Sequence, residues 1–178
     1  MIANSRLTTL MVMVSWVVGA TGCAAYRFGS VSMFRPGIRT VHVPIVRNDT
    51  FRHDLGVRLN DALVREIEDR TPYKVTGDPN ADSTLVCRVV NESKRVLTET
   101  GTDDPRALDA AVSVRATWTG RGGELLMQNA VTPNGEFAIN FGQDSRFVPE
   151  AGQSVDSAMQ AAIEDLASRI VSQMEMRW

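Results

Sequence analysis

The stretch Ala110-Ala111-Val112-Ser113-Val114-Arg115-Ala116-Thr117-Trp118 decides the fold. Val112, Val114, Ala116 and Trp118 alternate with Ser113, Arg115 and Thr117. A period of two sends one set inward and the other outward, which is the pattern of a half-buried β-strand. Immediately downstream, Gly120-Arg121-Gly122-Gly123 supplies a hairpin turn. Residues 124–131 return, Pro133-Asn134-Gly135 interrupts, and residues 136–141 continue with Phe137, Ile139 and Phe141 on one face. Upstream, residues 83–90 set Leu85, Cys87 and Val89 against Val86, Arg88 and Val90. Residues 39–46 alternate Val41, Val43 and Ile45 with Thr40, His42 and Pro44. Pro44 has no N–H for a ladder, so this strand belongs at an edge or a strand end. Residues 73–76 form a short extended piece. The polar, turn-rich segments 98–105 and 142–152 read as loops.

Two stretches change period. After Asp54, a suitable N-cap, Leu55, Leu59, Ala62, Leu63 and Ile67 recur at helical spacing. Asp61–Arg65 and Glu66–Arg70 add acid-before-base pairs four residues apart. The spacing predicts a helix over residues 55–69, stopped by Pro72. Ser154 caps a second helix, whose stripe is Val155, Met159, Ala162, Ile163, Leu166, Ile170 and Met174. That stripe runs nearly to Trp178, so the C-terminus should be docked. Two amphipathic helices must bury their stripes, and one sheet face is the natural place. The expected fold is α+β: a two-layer sandwich of a mostly antiparallel four-stranded sheet with two helices on one face. It forms a single domain over residues 38–178.

The first 22 residues read differently. Arg6 is followed by an apolar run from Leu7 to Val18 and then by small residues up to Cys23. A positive start, a short apolar middle and small residues at the cut make an export signal. A run of 12 residues falls short of the about 20 that a spanning helix needs. Ala20-Thr21-Gly22-Cys23 resembles the bacterial lipobox, in which the Cys thiol receives a diacylglyceryl group before cleavage in front of it. Several acyl chains on Cys23 would anchor the protein firmly to a membrane. Residues 1–22 are therefore read as a lipoprotein signal peptide and residues 23–37 as a lipidated tether. Tyr26, Phe28 and Phe34 within that tether pack at least in part. Ala24, rather than Asp, follows Cys23, which favours the outer membrane over retention at the inner one.

Composition narrows the function. Cleavage leaves 156 of 178 residues, enough for one domain with a real core. Removing Arg6 leaves 18 basic against 21 acidic side chains, a net charge of −3 that gives no reason to expect nucleic acid. Of two cysteines, Cys23 is assigned to lipid, and Cys87 in its alternating strand reads as a small buried hydrophobe. The histidines His42 and His53 lack a Cys or carboxylate pattern that would complete a metal set, so no metal and no cofactor is expected. His53-Asp54 has no accompanying nucleophile motif. The Gly120–Gly123 turn lacks the Lys-Ser/Thr ending of a phosphate loop, and Asp103-Asp104 reads as a solvated loop pair. The chain is not expected to be an enzyme. The remaining chemistry is cationic: Arg88, Lys94 and Arg95 cluster at the end of one strand and Arg115 faces outward on another, and if these strands are neighbours their groups would converge on the open sheet face and suit phosphate or carboxylate.

Several ordered motifs carry a resemblance. Cys23 followed closely by Tyr26, Thr40-Val41-His42-Val43-Pro44-Ile45-Val46-Arg47-Asn48-Asp49-Thr50, Leu59-Asn60-Asp61-Ala62-Leu63-Val64-Arg65-Glu66-Ile67, Tyr73-Lys74-Val75 and Ala81-Asp82-Ser83-Thr84-Leu85 follow one another in this order. Together they resemble the outer-membrane lipopolysaccharide-assembly lipoprotein family over most of the mature chain. The resemblance implies a non-enzymatic protein on the periplasmic side of the outer membrane, held by its N-terminal lipid. Such a protein assembles with and plugs a β-barrel translocon and assists lipopolysaccharide insertion into the outer leaflet. No lipid-contact residues transfer from the family's motifs. The alternative is a periplasmic adaptor lipoprotein that activates a cell-envelope enzyme or builds a secretion assembly, since several such domains open with a similar strand and turn.

Overall fold

A computed structural model of the chain describes residues 33–99, 101, 105–127 and 139–176. The signal segment, Cys23, Tyr26, Phe28, Asp103, Asp104 and Phe137 lie outside the described residues. In chain order the elements are β1 (Thr40–His42), β2 (Arg47–Asn48), α1 (Leu55–Arg70), β3 (Lys74–Thr76), β4 (Ser83–Glu99), β5 (Pro105–Gly120), β6 (Ile139–Phe147), a 3-10 turn (Pro149–Ala151) and α2 (Val155–Ser172).

The α+β class is as expected, but the sheet is mixed and has six strands among the described residues. Its order is β3-β1-β4-β5-β6, with β2 also paired to β4. β1 runs parallel to both β3 and β4, and β2 runs parallel to β4. Only β4-β5-β6 is antiparallel. Two physical causes separate this sheet from the expected one of four strands. α1 carries the chain back along the sheet, so β3 enters parallel to β1, as a helical crossover requires. The first strand also breaks at Pro44. Val41 is fully buried before it and Val46 is 4% exposed after it, whereas Ile45, expected inside, is 84% exposed. The inward parity therefore shifts between the two short strands.

β4 and β5 are 17 and 16 residues long, well beyond the expected 83–90 and 110–118. The additional residues 91–99 pair with residues 105–113. Backbone hydrogen bonding extends this hairpin although β4 is largely exposed there and shows no apolar alternation. Register shifts at Val89/Asn91, Val96/Thr98 and Thr98/Glu99 interrupt the pairing. Residues 98 and 99, read as loop, are strand, and so are residues 142–147 of β6. The Gly120–Gly123 turn closes as expected: Gly123 adopts φ +81°, and Gly120 N–H donates to Glu124 O at 2.8 Å. The returning residues make only an isolated bridge, Thr119 to Leu125, before the described residues stop at 127.

The helices follow their sequence patterns. α1 ends at Arg70 and Thr71, whose Oγ1 donates to Ile67 O at 2.6 Å. Asp54 stands at the N-cap, but its side chain makes no cap bond and pairs with Arg58 at 3.0 Å. Glu66–Arg70 forms at 2.8 Å, while Arg65 donates to the Asp61 carbonyl oxygen at 3.3 Å. α2 opens on a reciprocal Ser154–Ser157 capping box. Met159, Ala162, Ile163, Leu166, Ile170 and Met174 are all buried.

These stripes, the inward residues of β4 and β5, and Phe34 of the tether form one apolar cluster. Both helices therefore occupy one layer. Arg58 ties them together, donating to Gln160 Oε1 at 2.9 Å and to Asp156 O at 2.9 Å. The chain's two ends also meet. Met176 N–H donates to Met33 O at 2.7 Å, Phe34 bridges Glu175, and Phe34 stacks edge-on against Tyr73. The tether thus packs in part, through Phe34, and the segment after α2 is docked as far as Met176.

Candidate binding face of the sheet

The helices pack on one side of the sheet, and the outward side chains of β4, β5 and β6 lie on its other face. In an antiparallel pair, residues directly opposite share a face. Val114, Val112 and Ala110 face the core, so Arg115, Ser113, Ala111 and Asp109 face outward. Register places Arg88 opposite Arg115, and Arg115 opposite Asn140. Arg47 of β2 pairs in register with Arg88. The result is one cross-strand row, Arg47–Arg88–Arg115–Asn140, spanning four strands.

Asp49 is the counter-charge in this row. Its carboxylate accepts from Arg88 Nε and, at 3.0 Å, from Arg88 Nη2. That forked contact is the bidentate geometry a guanidinium offers to carboxylate or phosphate. The hydrogen bond from Arg88 foremost, joined by the charges of Arg88, Arg47 and Arg115, holds the Asp49 carboxyl below its ordinary range and outweighs the opposing effect of desolvation. Arg115 Nε donates to Asn140 Oδ1 at 3.4 Å.

A second row lies six residues along β5, roughly 20 Å away. Arg95, Asp109 and Arg146 stand side by side on three strands. Both arginines approach the Asp109 carboxylate to 3.9 Å, and that carboxylate is largely buried between them. Asn91, Ser113, Ser93, Ala111 and Asp144 lie between the rows.

Of the four cations singled out in the sequence, Arg88, Arg95 and Arg115 share this face. Lys94 stands opposite buried Ala110, on the side that carries the core. Arg47 and Arg146 join the face without having been anticipated. Their signal is register, which a single strand's alternation does not contain. Cys23 lies outside the described residues.

The rest of the molecule is less suited to a ligand. A cleft of about 500 Å³ near the tether is lined by Arg35, Ile38, Asp82, Arg121, Glu124 and Met176. Its cations are engaged internally: Arg35 donates to Leu126 O at 2.8 Å, and Arg121 pairs with Asp82 at 3.1 Å. Among the described residues, no group of three or more His, Cys, Asp or Glu side chains could hold a metal ion. No described helix is long and apolar enough to cross a membrane.

A helix-backed mixed sheet whose other face carries a row of arginines defines a small α+β domain. Its family follows from the sequence match: the chain belongs to the lipopolysaccharide-assembly (LptE) family, whose model matches residues 38–178. That family is one of non-enzymatic lipoproteins, so the chain is a membrane-associated lipoprotein of the lipopolysaccharide-assembly type. Among solved structures, the fold is similar to a chain of the PelC dodecamer from Paraburkholderia phytofirmans. The identity is 13%, the match covers 78% of this chain and 90% of that one, and the TM-score is 0.51. It is also similar to protein XCC0632 from Xanthomonas campestris, at 11% identity, 78% and 84% coverage and a TM-score of 0.50. A search of curated protein sequences finds no match.

Proposed function

We propose that this protein is an outer-membrane lipoprotein, cleaved after residue 22 and anchored through acylated Cys23 on the periplasmic side. It assembles with and plugs a β-barrel translocon and assists lipopolysaccharide insertion into the outer leaflet, without catalysing a reaction. The observation that carries this reading is the family match over residues 38–178. The lipobox at Ala20-Thr21-Gly22-Cys23 supports it from the other end of the chain. On this reading, Arg88, Arg115 and Arg95, with Arg47 and Arg146 beside them, receive the phosphates and carboxylates of the glycolipid. Lys94 lies at the rim of the same hairpin.

The test is affinity purification of the tagged full-length protein from native membranes in mild detergent, followed by mass spectrometry. A large outer-membrane barrel at near one-to-one stoichiometry is the expected result. Recovery of a periplasmic enzyme or a secretion ring with no barrel would overturn the reading and promote the adaptor alternative.

A further inference from the structure

The sheet has three exposed edges of unequal character. β3 offers only three residues. The β6 edge is guarded: Arg169 Nη1 donates to Gly142 O at 2.9 Å and to Gln143 Oε1 at 2.7 Å. β4 differs from both. β1 covers it at Ser83 and Thr84, β2 covers it at Arg88 and Val89, and Asp49 N–H donates to Val89 O. From Val90 to Glu99, no described residue pairs with that side of β4. A long open edge with exposed apolar side chains is a template for another strand, and proteins ordinarily block one. Here Val96 and Leu97 are 39% and 37% exposed on it.

We infer that this edge pairs antiparallel with the same edge of a second copy, about a two-fold axis through Ser93. Such an axis can join only residues lying on one face of the sheet, and the sequence meets that condition. Glu92 and Lys94 both stand opposite core-side residues, Val112 and Ala110. Asn91, Ser93 and Arg95 all stand opposite outward residues, Ser113, Ala111 and Asp109. Centred on Ser93, the register sets Glu92 against Lys94 of the second copy, twice by symmetry. It sets Asn91 against Arg95, and Val90 against Val96. Opposite charges facing each other across strands stabilise a pairing, and the segment is complementary to itself, as a two-fold interface must be.

Three further features agree with this pairing. Glu92 Oε2 is buried without a hydrogen-bond partner, and its described ion-pair contact is Arg52 Nε at 3.5 Å. Leu97 of the second copy reaches the level of Val89, where Asp49 already occupies the edge, so the pairing ends at Val90 and Val96. Phe51, 99% exposed, follows Asp49 by two residues at that junction, where Val96 and Leu97 arrive from the second copy. Seven residues per edge make a small contact, so the dimer is a weak one. The inference concerns the protein alone and stands apart from the transport reading.

The experiment uses the full chain in detergent. Ser93→Cys is oxidised mildly alongside Asp144→Cys, which lies on the far edge, and the unsubstituted chain. Cys87 is buried and does not compete. A disulfide-linked dimer from Ser93→Cys at least about tenfold faster than from Asp144→Cys is expected, because the axis brings the two Ser93 Cα atoms to roughly 5 Å. In sedimentation at about 100 µM protein, Lys94→Glu is expected to weaken dimerisation about tenfold by setting like charges opposite one another. Combining it with Glu92→Lys restores the dimer. Equal cross-linking at the two positions, or dimerisation indifferent to Lys94→Glu, would overturn the pairing. So would a chain monomeric at that concentration. Circular dichroism confirms that each exposed-site variant is folded.

Discussion

At the scale of single residues, Asp49 governs how available the first arginine row is. It takes the Nε and Nη2 fork of Arg88 with both carboxylate oxygens, so a phosphate that binds in that fork must displace it. Asp49→Asn should therefore tighten binding of purified lipopolysaccharide, by about three- to tenfold, because the neutral amide competes less well for a guanidinium. Arg88→Ala should weaken it by about tenfold or more. Titration of binding in a fluorescence or calorimetric assay checks both. The acid response has a definite sign. A carboxyl held below its ordinary value of 3.8 contributes stability above that pH, and the contribution is lost as pH falls through the depressed value. The Arg88 pair should therefore survive unchanged from pH 8 to pH 5 and break only in stronger acid, as the Asp49 carboxyl resonance would report. Cys87 behaves oppositely, since burial pushes its thiol up to about 12. In the folded protein it should resist alkylation at pH 8 and react at an ordinary rate only after denaturation.

Elements show where sequence pattern carries structure and where it stops. The α2 cap is local, and Ser154→Ala should cost about 1 kcal/mol in urea denaturation. Gly56 in α1 is not a local matter. A Cβ there would meet the Val46 carbonyl oxygen at 2.9 Å and Asn48 Cβ at 3.3 Å, because the helix presses on the segment joining β1 to β2. Gly56→Val should destabilise by roughly 2 kcal/mol despite glycine's poor helix propensity. Both helices were legible because each has one wet and one dry side along its length. β5 was legible at its centre for the same reason. The ends of β4 and β5 were not, since residues 91–99 are exposed on a projecting hairpin and carry no period to read. β1 was misjudged past Pro44, where the chain leaves the ladder and the inward parity shifts at Ile45. The site was half legible. Arg88, Arg95 and Arg115 could be found from their strands, whereas Arg47, Arg146 and the separation of Lys94 depend on which residue stands beside which.

At the scale of the whole molecule, the core closes where residues 33 and 34 meet the segment after α2. Met174 is fully buried, and the segment after α2 holds residues 33 and 34 by a backbone hydrogen bond and a bridge. Deleting everything after Gln173 should lower stability by roughly 3 kcal/mol, most of it from the space Met174 leaves. The fall in thermal midpoint measures it. The same clasp has a mechanical meaning. Only nine residues stand between Cys23 and Met33, and the ten steps of chain reach at most about 35 Å. If Cys23 is anchored as proposed, a pull on that stretch would load Glu175 and Met176 after α2, and Tyr73, whose hydroxyl accepts from Arg35 N–H at 3.0 Å, before it reached any rim of the sheet. Under the proposed anchoring through Cys23, the domain would hang by a buckle made from residues 33–35 and the segment after α2. The long β4–β5 arm lies elsewhere in the fold, so on that reading it would be spared the strain of the tether.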